Sequence, residues 1–336
     1  MDKTAAVDGF TKASRVLENG GLVVFPTETV YGLGGDATNE NAAKKIYEAK
    51  GRPSDNPLII HVAYPEDAEK YAVTSPEYYK LAKAFMPGPL TVIMPKKETI
   101  PYSVTGGLDS VAVRCPVDPV AHELIKTFGK PIAAPSANLS GKPSPTKAEH
   151  VIHDLMGRVD MILAGGTCEI GLESTIVKLE NNGAVLLRPG AVTFDALCCV
   201  LPNVTIADAV IGQLKENERP LSPGMKYKHY APSAPMVLLS GDKEKFLQFC
   251  LREIAENDAT ILCFDEEAEC LGAAHCIPIG PENNLNVQAQ NIFAALRTAD
   301  EQNAKILYAH LPPKTGMGLA LYNRMLRAAA HTVKEL

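Results

Sequence analysis

An apolar run, Gly21-Leu22-Val23-Val24-Phe25, stops at Pro26. Proline has no backbone N–H to give a sheet ladder, so a strand must end there and pass the chain to a loop. That loop carries Thr27, Glu28, Thr29 and Tyr31, and Gly32, Gly34 and Gly35 beyond them permit close backbone approach and positive φ. A polar, helix-compatible run from Asn39 to Ala49 follows, which sets Lys50 and Arg52 in a turn marked by Gly51 and Pro53. From such a turn both side chains can project into a cleft. Leu58 to Val62 then reads as a second buried strand with His61 near its end.

The chain has 336 residues, 46% of them hydrophobic, which favours two domains over one. Residues 1–200 carry 20 Lys and Arg against 23 Asp and Glu, and the remainder 13 against 16, so each part contributes −3 to the net −6. This even, mildly acidic balance argues against a strongly basic nucleic-acid surface. The eight cysteines form no CxxC pair, so neither a zinc knuckle nor a thioredoxin motif is spelled out, and reduced thiols in a cytoplasm are the simplest reading. The first nineteen residues lack the apolar core of a signal peptide, and no uncharged apolar run reaches the ~18 residues of a spanning helix.

Along the chain, Ala6, Phe10, Ala13 and Val16-Leu17 give an amphipathic helix stopped by Asn19-Gly20-Gly21. Further helices are expected over 75–85, 119–128 and 146–156, with strands at 89–95, 111–113, 131–134, 161–163, 175–179 and 185–187. Short strands mixed with helices, without a strict βαβ rhythm, predict a mixed α/β sheet domain over residues 1–203. Residues 204–235 change character, with Pro220, Pro223, Pro232 and Pro235 bracketing Met225-Lys226-Tyr227-Lys228-His229-Tyr230, and suit an extended connector. From 236 to 336 strands (236–239, 260–264, 275–279, 305–310) alternate with helices (243–255, 287–298, 319–330), predicting a smaller Rossmann-like parallel α/β domain.

No P-loop is present: Gly166 to Gly171 is the nearest approach, and Leu172-Glu173 stand where Lys-Ser/Thr should follow. Gly32-x-Gly34-x-x-Ala37 is an accidental dinucleotide fingerprint, because its strand ends at Pro26 rather than at the first glycine. Gly316-x-Gly318 reads as a glycine-rich helix start. His150-x-x-His153 has one-turn spacing, but without a zinc-ligand pattern around it a solvated helix face is the better reading, and no dedicated metal site is expected. Phosphates can instead be held by cations and loop amides: Lys50 and Arg52 are close enough to serve one triphosphate, and Arg114 and Arg188 each end a predicted strand. Singly, each arginine is more often a surface ion pair.

In order along the chain, PTETVYGLG, KGRP, NPLIIHV, VAVRCP, APSAN, STIV and RPG resemble the YrdC-like family, and the length together with SPGMKYKHYAP resembles its two-domain threonylcarbamoyl-AMP synthase branch. The resemblance implies an enzyme that joins L-threonine, bicarbonate or CO2 and ATP into threonylcarbamoyl-AMP with release of pyrophosphate, supplying the downstream machinery that makes threonylcarbamoyladenosine in tRNA; whether this chain touches tRNA itself is left open. It places Thr29, His61, Arg114, Ala134 and Ser174 near threonine, and Lys50, Arg52, Asn56, Ser110, Ser136, Asn138, Ser144 and Arg188 near ATP. Mg2+ is expected to arrive with the nucleotide. Tyr227, His229 and Tyr230 would belong to an active-site lid. Two alternatives remain: a carbamoyl-adenylate former in metal-cofactor maturation, against which the missing CxxC pairs count, and a non-catalytic binder of double-stranded RNA or ribosomes, against which the acidic balance counts.

Overall fold

The apolar run before Pro26 folds as β1 (Val23–Phe25), but the glycines beyond the loop do not stay in it: Gly32–Asp36 turns back as β2, antiparallel to β1. A Cβ on Gly34 would stand 2.7 Å from both Phe25 Cε1 and Ile132 Cγ2, so the neighbouring side chains already fill the space that a larger residue would need. The loop expected over Pro26 to Gly35 therefore shortens to residues 26–31, and the dinucleotide look-alike is sheet.

The structure is a computed structural model that describes residues 3–180, 183–212 and 230–336. These fall into two compact units, one within Met1–Ser140, Pro145–Glu169 and Glu173–Lys226, the other within Gly141–Ser144, Ile170–Leu172 and Tyr227–Leu336. Two short segments read as part of domain 1–203 thus group with the second unit. Among the described residues no helix is long and apolar enough to cross a membrane.

In the first unit, β3 (Ile59–His61), β4 (Leu90–Pro95), β5 (Ser110–Arg114), β6 (Ile132–Ala134), β7 (Met161–Ile162), β8 (Thr175–Glu180), β9 (Gly183–Arg188) and β10 (Val204–Ile206) join the first two strands. The sheet runs β10-β9-β8-β4-β5-β3-β6-β2-β1-β7 and is mixed, with β3/β5 and β4/β8 parallel and β4/β5 and β3/β6 antiparallel. The helices are α1 (Lys3–Glu18), α2 (Glu40–Lys50), α3 (Pro76–Phe85), α4 (Tyr102–Thr105), α5 (Pro119–Phe128), α6 (Ala148–Leu155), α7 (Phe194–Val200) and α8 (Asp208–Ile211). Ala13 and Leu17 of α1 pack with Leu124, Ile125 and Phe128 of α5 against Val23, Phe25 and Ile132, while Ile59, Ile93, Ala112, Ile176 and Leu187 form a second cluster. The connector expected from residue 204 begins later, because β10 pairs with β9 and α8 follows it. At three residues, Val204-Thr205-Ile206 is too short a run to read as a strand from its alternation.

The cap chemistry that positions the cationic turn is local. Asn39 accepts from the N–H groups of Asn41 and Ala42 at the start of α2, and Gly51 ends the helix at φ 61°, a left-handed conformation that favours glycine. Lys50 is consequently the last helical residue and Arg52 the first beyond the cap.

The second unit contains β11 (Met236–Ser240), β12 (Thr260–Cys263), β13 (Cys276–Pro278), β14 (Leu307–His310) and β15 (Val333–Glu335), all parallel in the order β13-β12-β14-β11-β15, with α9 (Lys243–Asn257), α10 (Ala268–Leu271), α11 (Leu285–Glu301) and α12 (Gly316–Ala328). The parallel sheet agrees with the sequence reading. The strand β15 was not anticipated: Val333 is its one apolar residue and all three positions are exposed.

Candidate functional site

Residues from five strands meet along one edge of the first sheet. Because β4 and β8 run against β3, β5 and β9, the starts of the former lie beside the ends of the latter. His61 is in register with Arg114, Arg114 with Thr91, and Leu90 with Thr175. Thr91 Oγ1 and Ser174 Oγ share a hydrogen bond of 2.7 Å, and Arg188 donates from Nε to Ser174 O at 3.0 Å and from Nη2 to Ser174 Oγ at 3.1 Å. The sequence placed Ser174 with threonine and Arg188 with ATP; in the fold the two are in direct contact.

Glu28 reaches the same edge from the loop between β1 and β2. In that loop Thr27 Oγ1 accepts from the N–H groups of Thr29 and Val30 at 3.2 Å and lies 2.8 Å from Thr29 Oγ1, so the turn is held by its own hydroxyl. Arg114 Nη2 stands 2.7 Å from Glu28 Oε1, with both side chains 5% exposed. Yet neither atom makes a directed hydrogen bond, and both Glu28 oxygens and Arg114 Nε also lack one. The pair is held by charge proximity and keeps undirected donors and acceptors in a buried place, where such groups are costly unless a ligand completes them.

His61 lies 3.3 Å through Nδ1 from Ile132 O, and since a carbonyl only accepts, Nδ1 carries the proton. Burial, assisted by the Arg114 guanidinium, pushes its pKa down to about 3. A histidine depressed in the fold but ordinary when unfolded contributes stability that is complete above pH 6.5 and is lost as pH falls toward about 3, because the unfolded chain takes the proton first. Between pH 7 and pH 5 the wild type should lose about 2 kcal/mol more stability than His61→Asn, which keeps a donor toward Ile132 O. Urea melts at the two pH values measure this, and equal losses would show that His61 is not held neutral. Burial also pushes the Cys115 and Cys168 thiols up to about 12, so neither is a ready nucleophile.

The residues assigned to ATP form a second network. Lys50 Nζ donates to Ser136 O, to Asn138 O at 2.5 Å and to Asn138 Oδ1 at 3.3 Å. Ser136 Oγ donates to Asn138 Oδ1 at 2.5 Å. Arg52 Nη2 donates to Asn56 O and Pro57 O at 3.3 and 3.2 Å. Lys50 and Arg52, expected to project from their turn into a cleft, are buried and order the loops at Ser136 and Asn56. Ser110 begins β5 two positions before Ala112, which pairs with Ile59, so it is level with Pro57 and with this network. Ala134 of β6 pairs with Ile59, and an isolated bridge between Gly32 and Ser136 ties the Glu28 loop to the same place. With β3 only three residues long, its ends are roughly 7 Å apart, so the two networks are near neighbours.

Four assigned residues stand apart from the contacts just described. Ser144 is buried and groups with the second unit. Tyr230, assigned to the lid, has its ring 5.1 Å from Phe293 and 5.7 Å from the Arg324 guanidinium, inside the second unit. Tyr227 and His229 lie outside the described residues. Sequence reasoning gave no role to Glu28 or Thr91: Glu28 was visible in the PTET loop, but Thr91 sits inside an apolar strand and only pairing reveals it. His150 and His153 do not converge on a metal: His150 Nδ1 accepts from Thr146 N and His153 is exposed beside Asp154.

Residues 15–190 match the family model described as telomere recombination, covering Sua5, YciO and YrdC, and residues 192–330 match the model described as threonylcarbamoyl-AMP synthase, C-terminal domain. A threonylcarbamoyl-AMP synthase of Bacillus subtilis (strain 168) is 45% identical over 96% of this chain and 93% of its own length. One from Pyrococcus abyssi is 43% identical over 96% and 94%. The crystal structure of P. abyssi Sua5 complexed with L-threonine superposes with a TM-score of 0.89 at 41% identity, covering 97% of this chain and 96% of that one.

Proposed function

The chain belongs to the two-domain Sua5/YciO/YrdC family of threonylcarbamoyl-AMP synthases, and from that premise we propose that it makes L-threonylcarbamoyl-AMP from L-threonine, bicarbonate or CO2 and ATP, releasing pyrophosphate. The threonine ammonium first gives one proton to solvent; the freed nitrogen then attacks the carbon of CO2, a C=O electron pair moves to oxygen, and a second proton leaves to solvent, forming the N–C bond of an N-carboxylate. An oxygen of the resulting N-carboxylate attacks the α-phosphorus, the bond to the β-phosphate oxygen breaks, and its electrons leave with pyrophosphate. No covalent bond to the protein is needed; the protein positions the partners and neutralises charge.

The observation that carries this reading is the buried Arg114–Glu28 pair with undirected hydrogen-bonding groups, beside the neutral His61 and the Thr91–Ser174–Arg188 network. A zwitterionic amino acid fits such a place. Its carboxylate takes the Arg114 fork, its amino group faces Glu28, and its hydroxyl donates to Nε2 of the Nδ1-protonated His61. Thr29, Ala134 and Ser174 complete that end. Lys50, Arg52, Asn56, Ser110, Ser136, Asn138 and Arg188 are assigned to the nucleotide. Mg2+ would come with the triphosphate and offset its charge; among the described residues no group of three His, Cys, Asp or Glu side chains is placed to hold a metal. The proline-dense segment around Tyr227 and His229 is assigned as a cover that keeps water from the mixed anhydride. The product would pass, in a cytoplasm, to the enzymes that modify tRNA.

Incubation of the purified chain with ATP, Mg2+, bicarbonate and labelled threonine should yield pyrophosphate and a threonine-bearing adenylate, each dependent on threonine. Pyrophosphate release that ignores threonine, or no adenylate, would overturn the reading.

A further inference from the structure

The carboxyl edge of the second unit's sheet carries a cavity that the proposed reaction does not use. β12 and β14 are neighbours, yet the chain leaves β12 toward β13 on one side and leaves β14 toward β15 on the other. Connections that diverge in this way open a crevice at the strand ends, which is where open parallel α/β sheets take ligands. Here the crevice is a cavity of about 320 Å³, walled by Phe264 after β12, Ile279 after β13, Leu311 and Pro313 after β14, and Met325 of α12. That is the lower end of the usual range for small-molecule sites: enough for one planar ring system with a substituent, too little for a dinucleotide.

The polar groups around it are built, not incidental. His310, at the end of β14, lines the cavity and donates through Nε2 to both oxygens of Glu267 at 2.9 and 3.1 Å. Its ring lies between Phe246 and Phe264, at centroid distances of 3.4 and 4.5 Å and within 18° of parallel to each. Glu267 is fully buried and also accepts from Phe264 N at 3.0 Å. Burial opposes its charge, but the hydrogen bonds from His310 and Phe264 outweigh it and hold the carboxyl below its ordinary range. With Nε2 committed to a carboxylate, Nδ1 is the remaining polar atom of an imidazole whose orientation is locked on both faces. At the rim, the Glu282 carboxylate pairs with Lys243 at 2.8 Å, and Glu282 N donates to Glu266 at 3.0 Å. Glu267 turns its charge inward to His310, while Glu282 on the cavity wall and Glu266 beside it together outweigh Lys243, so the acid at the rim disfavours phosphate.

We propose that this cavity binds a nucleoside, its base laid over the apolar wall beside His310 and its ribose hydroxyls donating to the carboxylate-rich rim. A nucleotide would bring its phosphates against that rim and bind less well.

The test uses the full chain with isotope-labelled histidine, the His310 resonance being assigned by its loss in His310→Gln. Adenosine at millimolar concentrations should move that resonance saturably, and AMP should bind at least roughly tenfold more weakly. Asn283 lines the cavity and is exposed, so Asn283→Trp fills the mouth without touching the core; it should abolish the response at an unchanged melting temperature. The proposal is overturned if adenosine leaves the resonance unmoved, if the response survives Asn283→Trp, or if AMP binds as well as adenosine.

Discussion

Arg114→Ala should destabilise the chain by about 3–5 kcal/mol and abolish threonine-dependent pyrophosphate release. The large stability effect follows from burial: with both partners 5% exposed, removing the guanidinium leaves the Glu28 carboxylate without its counter-charge in a place water does not reach. Catalytic loss has a separate cause, since the same fork is assigned to the substrate carboxylate. The double variant Arg114→Met/Glu28→Gln separates the two effects. It should recover most of the stability, because no charge is left stranded, and none of the activity. Urea melts and a pyrophosphate assay on the wild type, Arg114→Met, Glu28→Gln and the double variant form a complete cycle. A melt of Arg114→Ala within about 1 kcal/mol of wild type would contradict the buried pair. Activity in the double variant would remove Arg114 from the threonine site.

Lys50→Met carries the second large effect. Lys50 closes α2 and gives its ammonium protons to Ser136 O, Asn138 O and Asn138 Oδ1. Charge-assisted bonds of this kind contribute about 1.5–3 kcal/mol each, and methionine keeps the stem volume while deleting the donors. The expected loss is about 3 kcal/mol of stability, together with a rise in the KM for ATP, because the loop that presents Ser136 and Asn138 is no longer tied to the helix end. Ser136→Ala is the control: the main-chain oxygen that Lys50 holds is retained, so its melt should stay near wild type while its KM for ATP still rises. If Lys50→Met melts like wild type, the ammonium does not order this loop. A wild-type KM in both variants would take the loop out of nucleotide binding.

What the residues announced by themselves was local chemistry. Pro26 ended β1, Asn39 and Gly51 bounded α2, and the parallel rhythm after residue 236 survived with shifts of a few residues at its ends. Such signals lie within a few neighbours along the chain, where backbone sterics and capping act. Glycine-rich β2 was hidden, because its strand character comes from Phe25 and Ile132 filling the space over Gly34, and neither is near Gly34 in sequence. β10 was hidden by its length of three residues, and β15 because an exposed edge strand needs no apolar face. The site followed the same division. Its residue types and order were legible in the motifs, so Arg114, Arg188, Ser174 and His61 could be put forward as candidates. Their pairing could not, since Glu28 meets Arg114, Thr91 meets Ser174 and Lys50 meets Asn138 only through the register of β3, β4, β5 and β8 and the closing of two loops. Burial then decided the chemistry: desolvation next to Arg114 makes His61 a neutral imidazole, a property of its surroundings that no reading of the dipeptide Ile60-His61 contains.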